Sequence, residues 1–122
     1  MRSHRRTGII PQLIYIFSRY NGTEDTSELV LLSAHYDSRG SFGSTRAPGG
    51  DDDGSGTTSI LSIARSIGTT GIRFKKNVEL CLFAGEEQGL VGSRAYARAF
   101  EISHRPLSRD NNAPSLLLKQ VN

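Results

Sequence analysis

Leu29-Val30-Leu31-Leu32 is an unbroken apolar run that leads within three residues to a histidine, His35, and Val78 to Phe83 is a second, nearly apolar run that leads to Glu86-Glu87. A strand that is apolar at successive positions has to be covered on both faces, which is how strands sit inside α/β sheets. Between the two runs, Ile60, Ile63, Ala64 and Ile67 recur at the i, i+3, i+4, i+7 spacing of one helix face. Asp53 or Ser55 is placed to cap that helix and Gly68 to end it. A second helix is expected from about Leu90 to Phe100, with Ala95, Tyr96, Ala99 and Phe100 as its apolar side, and a last strand from Leu116 to Val121. Strands alternating with helices predict the α/β class, as an incomplete three-layer α/β/α arrangement around a mostly parallel, mixed central sheet.

The rest of the chain fits one domain over residues 1–122, with 1–12 and 101–115 expected to be irregular. The basic start followed by the apolar stretch Gly8 to Phe17 has the outline of a signal peptide, but Pro11 and Gln12 interrupt it and no small-residue cleavage site follows. The β-rich Ile14-Tyr15-Ile16-Phe17 predicts a strand from about Leu13 to Arg19 instead. Asn21-Gly22 is a tight-turn signal, and it predicts that this strand pairs antiparallel with the run starting near Leu29. Asn21-Gly22-Thr23 is also an N-glycosylation sequon.

Composition removes several classes of function. The formal charge of +3 comes largely from Arg2, Arg5 and Arg6, and no stretch interleaves basic and aromatic residues, so no nucleic-acid partner is expected. The single cysteine, Cys81, rules out an internal disulfide and a cysteine-cluster zinc site, and its place in an apolar run marks it as a small core residue. No run approaches the length needed to cross a bilayer, so no membrane partner is expected either.

The residues that carry chemistry gather at one edge of the expected sheet. Ligand sites in such sheets form beyond the carboxyl ends of the strands. His35 and Glu86-Glu87 lie at such ends, and Asp51-Asp52-Asp53 precedes a helix on the same edge. Imidazole and carboxylate together suit a divalent cation, and a carboxylate can bridge two. Three adjacent aspartates repel one another unless something positive neutralises them. In His35-Tyr36-Asp37 the carboxylate can accept the second ring N–H and fix the tautomer. Of two adjacent glutamates, one can bind metal while the other takes a proton from activated water.

Three segments together resemble the leading motifs of the co-catalytic dizinc aminopeptidases, the peptide hydrolase family that includes bacterial and fungal leucine aminopeptidases. They are Ser33-Ala34-His35-Tyr36-Asp37-Ser38, Ala47-Pro48-Gly49-Gly50-Asp51-Asp52-Asp53-Gly54-Ser55-Gly56-Thr57, and Phe83-Ala84-Gly85-Glu86-Glu87-Gln88-Gly89-Leu90-Val91-Gly92-Ser93. They occur in the family's order, and the resemblance spans roughly Leu13 to Phe100. It implies two zinc ions, with His35 and Glu87 each on one of them, Asp52 bridging both, Glu86 as general base and Asp37 orienting His35. It also implies a cis peptide at Asp52-Asp53.

Two further family ligands, an aspartate at the end of the next strand and a later histidine, have no matching position. Asp110, His104 and His4 fall outside any motif. The chain is therefore expected to be a fragment that binds zinc weakly and has little activity alone. The resemblance implies peptide or protein N-termini as substrates and a secreted or lumenal site of action, and it leaves the oligomeric state open. Zinc glutaminyl cyclases share the fold but lack the full triple-aspartate stretch, which favours peptide hydrolysis. The non-enzymatic alternative is a peptidase-like interaction domain.

Overall fold

A computed structural model describes residues 6–9, 15–104 and 116–120. The elements are β1 (Arg6–Ile9), β2 (Tyr15–Tyr20), β3 (Leu29–His35), α1 (Gly56–Thr70), β4 (Asn77–Phe83), α2 (Val91–His104) and β5 (Leu116–Gln120). The strands form one mixed sheet in the order β1-β2-β4-β3-β5. β3 runs parallel to β4 and to β5, while β2 is antiparallel to β4 and to β1. The α/β class and the mixed sheet are as expected. Among the described residues, no helix is long and apolar enough to cross a membrane.

Alternation along the strands divides the core in two. Side chains two apart on a strand share a face, so Cys81 and Phe83 join Tyr15, Leu31 and Tyr96 of α2 in one buried cluster. Val78 and Leu80 join Ala34 with Ile60 and Ile67 of α1 in the other. Leu31 and Cys81 have no exposed surface at all. Buried Glu79, on the α2 side of β4, is paired at 2.9 Å with Arg19, its cross-strand partner on β2.

Four local expectations need correction. Asn21-Gly22 does not close a hairpin from β2 to β3, because β4 lies between them: Tyr20 is opposite Val78 on one side, and Val30 is opposite Val78 on the other. The segment 21–28 instead arches over the start of β4, where Asn77 fastens it. The Asn77 Oδ1 accepts from the Gly22 N–H at 3.0 Å, and Nδ2 donates to the carbonyls of Thr26 and Glu28 at 2.9 and 3.1 Å.

The start of the chain is not wholly irregular. Arg6–Ile9 forms a strand whose ladder with β2, from Arg6 opposite Arg19 to Ile9 opposite Ile16, supplies the hydrogen bonds that its own composition does not foreshadow. α1 runs through Gly68 and stops at Gly71, whose φ of 67° suits glycine and whose N–H closes on the Ile67 carbonyl at 3.1 Å. α2 begins at Val91 and continues to His104, into the stretch expected to be irregular, and Ala99 is exposed rather than on the packed side. Leu13, residues 105–115 and Val121 lie outside the described residues.

Two outcomes test this packing. Asn77→Ala removes three hydrogen bonds that hold the arch and should cost about 1–3 kcal/mol, read as a lower urea midpoint with an unchanged slope. Burial and the nearby Glu79 carboxylate push the Cys81 thiol well above its ordinary pKa. Cys81 should therefore stay unreactive toward a thiol reagent at pH 8 in the folded chain and react once the chain is unfolded in urea.

Candidate functional site

The parallel pairing of β3 with β4 sets His35 beside Phe83, so the ends of both strands reach the same rim. Glu86 and Glu87 follow β4 at that rim, in the turn that leads to α2. The aspartate triplet reaches it from the other direction, in an irregular turn over residues 50–55 just before α1.

Asp53 is the fastening. It is only 5% exposed, and its carboxylate accepts the His35 backbone N–H at 3.1 Å through Oδ2 and the Gly56 N–H at 2.9 Å through Oδ1. One side chain thus ties the end of β3 to the first turn of α1, where the Gly56 N–H, which also reaches the Asp53 carbonyl, and the helix dipole both favour an anion. A side chain at position 56 would run into this carboxylate, so glycine is required there. Thr57 Oγ1 adds a second tie by donating to the His35 carbonyl at 2.7 Å. The peptide between Asp52 and Asp53 is cis, and Asp52 has non-helical φ and ψ of −110° and 95°.

With its backbone held, the His35 ring is 5% exposed and fixed at both nitrogens. Nδ1 lies 3.0 Å from the backbone carbonyl of Asp37. A carbonyl can only accept, so Nδ1 carries a proton. Nε2 then faces the Oδ1 of Asp52 at 3.0 Å and the Oε2 of Glu86 at 3.8 Å. In the neutral ring that is a lone pair set against two carboxylates, an arrangement that needs a positive charge between them. Burial opposes protonation of His35, but the Asp37 carbonyl and the charges of Glu86, Asp53 and Asp37 outweigh it, so its pKa rises above the ordinary value. A divalent cation would meet the same need.

The donor set fits zinc in kind. Zinc takes imidazole nitrogen and carboxylate oxygen, and His35 Nε2 and Asp52 Oδ1 present one of each 3.0 Å apart. The set is not closed, however: among the described residues, no group of three or more His, Cys, Asp or Glu side chains is arranged to hold a metal ion.

Asp37 acts differently from expectation. The contact that orients His35 comes from the Asp37 main chain, whereas its carboxylate stands 3.7 Å from Nδ1. That carboxylate instead accepts the N–H of Glu86 at 3.1 Å and of Glu87 at 3.2 Å, and so fixes the turn after β4. Glu87 is half-buried, and its carboxylate makes no ion pair among the described residues. His35, Asp52 and Glu86 are thus brought together, with Asp37 beside them through its main chain. The structural duties of Asp53 toward His35 and of Thr57 have no signal in the sequence beyond a possible helix cap.

A cavity of about 300 Å³ opens beside His35 and Glu86, with Leu31, Phe83, Leu90 and Tyr96 among its walls and Arg94 also lining it. Its walls are largely apolar while the polar groups converge at one end, as in many small-molecule sites.

The model of peptidase family M28 matches residues 16–117. Aminopeptidase Y of Saccharomyces cerevisiae is 40% identical over 73 residues, which cover 60% of this chain and 12% of that protein. A probable zinc metalloprotease of Pyrenophora tritici-repentis is 36% identical over 89 residues, 70% of this chain and 20% of that protein. A vacuolar membrane protease of Verticillium alfalfae is 42% identical over 71 residues, 57% of this chain and 6% of that protein. The chain thus matches a fifth or less of the length of each of these relatives.

The Asp37 contacts can be tested directly. Asp37→Ala should raise amide hydrogen exchange at Glu86 and Glu87 by about tenfold or more, since each loses a charge-assisted acceptor, while amides in the middle of β4 stay protected.

Proposed function

The chain belongs to peptidase family M28, and from that premise we propose that it carries part of a two-zinc centre that hydrolyses peptide bonds at free N-termini. His35, Asp52 and Glu87 are the proposed metal ligands, Asp52 as the bridge, and Glu86 is the proposed general base. The observation that carries this reading is the face of His35, where Nε2 meets Asp52 at 3.0 Å and Glu86 at 3.8 Å and calls for a cation. The zinc named in a relative and the aminopeptidase named in another support the same choice.

Zinc, when bound, supplies Lewis acidity that polarises a carbonyl and makes water acidic enough to ionise near neutral pH. The chain's own groups divide the remaining work. Glu86 accepts the proton of the attacking water and returns it to the leaving amine. Its place is set by the Asp37 carboxylate, which holds the backbone of both glutamates. The Asp37 carbonyl holds the His35 ring in the tautomer whose Nε2 is open to a cation. The cavity beside Glu86 excludes water from one flank and suits an apolar part of the substrate.

In this reading the complete domain is a three-layer α/β/α sandwich, and the chain is a piece of it that lacks two further ligands, an aspartate and a histidine. Two protein ligands per metal in place of three give weak zinc binding and little activity. The vacuolar relative supports a lumenal or secreted site of action.

Two observations favour a second reading: the Glu87 carboxylate makes no ion pair with the cluster, and no closed set of three donors exists among the described residues. On that reading the chain is a metal-free, peptidase-like interaction domain. Zinc titration of the metal-stripped 122-residue chain against a chromogenic chelator separates the two. The peptidase reading expects weak, saturable binding that falls by about tenfold or more in His35→Ala and in Asp52→Ala and is retained in Glu86→Gln. Absence of saturable binding, or binding indifferent to His35 and Asp52, leaves the interaction domain.

A further inference from the structure

Asn21-Gly22-Thr23 is the single Asn-X-Ser/Thr sequence in the chain, and X is not proline. Such a sequence is a chemical acceptor for N-linked sugar only where its side chain can lie at a surface. From the structure we infer that Asn21 is an N-glycosylation site of this chain, an inference that rests on the lumenal part of the functional reading above.

Three observations carry it. Asn21 and Thr23 are both exposed, and the Asn21 side-chain amide makes no hydrogen bond to a described residue, so it serves no structural purpose that a sugar would displace. Asn21 follows the end of β2 at Tyr20, opposite Val78, whereas the His35 rim lies at the Phe83 end of the same ladder. At about 3.3 Å per residue, that separates the sugar from the candidate metal centre by roughly 20 Å, so it leaves substrate access open. The surroundings are polar as well: Lys75 and Glu24 are exposed close by, with Lys76 between Glu24 and Glu28.

The intervening Gly22 is packed against the chain at Lys75, where any side chain would collide with the Lys75 carbonyl. Its N–H donates to Asn77, and the Thr23 N–H donates to the Phe74 carbonyl at 2.8 Å. The sequon backbone is therefore strapped down in the folded chain while the Asn21 side chain points outward free. A sugar on Asn21 projects into solvent with the arch docked on Asn77. In the transfer, Asn21 Nδ2 bonds the anomeric carbon of a lipid-pyrophosphate-linked oligosaccharide. The bond from that carbon to the pyrophosphate oxygen breaks, the lipid pyrophosphate leaves with the electron pair, and the amide nitrogen loses one proton.

The test is to direct the full chain into the endoplasmic reticulum of yeast behind a cleavable leader and to analyse all membrane-enclosed chain, secreted or retained. The expected result is one band shift removed by peptide N-glycosidase, with Asn21 converted to Asp in the released peptide. The shift should vanish in Asn21→Gln and in Thr23→Ala and return in Thr23→Ser. Unmodified Asn21 in lumenal chain, or a shift that survives Asn21→Gln, overturns the inference. Because the leader supplies entry to the lumen, that failure is separate from a failure of the chain to reach the lumen by its own means, and separate from the zinc titration.

Discussion

The site depends on one buried carboxylate. Asp53 accepts two backbone N–H groups, one from the last residue of β3 and one from the first residue of α1. Strand ends and helix starts leave N–H groups without partners in their own element, and here the Asp53 carboxylate takes both, sharing the Gly56 N–H with its own main-chain carbonyl. A carboxylate with two such donors satisfies them and is itself stabilised by them, which is why it tolerates burial at 5% exposure. The consequence for chemistry is positional. With Asp53 fixed between strand and helix, the preceding residue, Asp52, is delivered to the open face of His35.

The sheet supplies the second requirement, a common rim. Parallel pairing makes β3 and β4 end side by side, and the connection between them has to cross over through α1. That crossover brings the aspartate turn to the same rim as His35. On the other side, Asp37 reaches from the end of β3 to the two N–H groups after β4, so adjacent strand ends are joined by a side chain as well as by the ladder. Asn77 does the corresponding work at the opposite end of β4. Both ends of the central strand are therefore clamped by polar side chains, and its middle is held by apolar clusters.

What the sequence made legible follows from which interactions are local. The period of Ile60, Ile63, Ala64 and Ile67 identifies α1, and the alternation of Val78, Leu80 and Leu82 with Cys81 and Phe83 gives the two sides of β4, because those patterns depend on neighbours along the chain. The end of α1 was less legible: Gly68 and Gly71 are both glycines, and only the geometry of the last turn tells that the Gly71 N–H closes on Ile67. Strand β1 and the partner of β2 were not legible at all. Asn21-Gly22 carries a real turn signal, but the residue that decides where the chain goes next, Asn77, is 55 positions away from Gly22. His35 and Glu86 are legible as residue types at strand ends and Asp52 as one of three aspartates before a helix, yet the division of labour among Asp37, Asp52 and Asp53 requires distances.

That division changes the weight of the acidic triplet. As a sequence, three adjacent aspartates suggest a metal because their mutual repulsion asks for a positive neighbour. In the fold the repulsion is largely relieved without one: Asp51 is exposed to water, Asp53 is answered by two backbone N–H groups, and Asp52 is 78% exposed at its side chain. The stronger argument for a cation comes from the imidazole. His35 is buried, its Nδ1 is committed to a carbonyl, and its Nε2 confronts acceptors only. A nitrogen in that position has two ways to be satisfied, a proton or a metal ion, and both draw on the same lone pair. The triplet is thus better understood as scaffold with one exposed donor, and the histidine as the group whose chemistry the scaffold was arranged around.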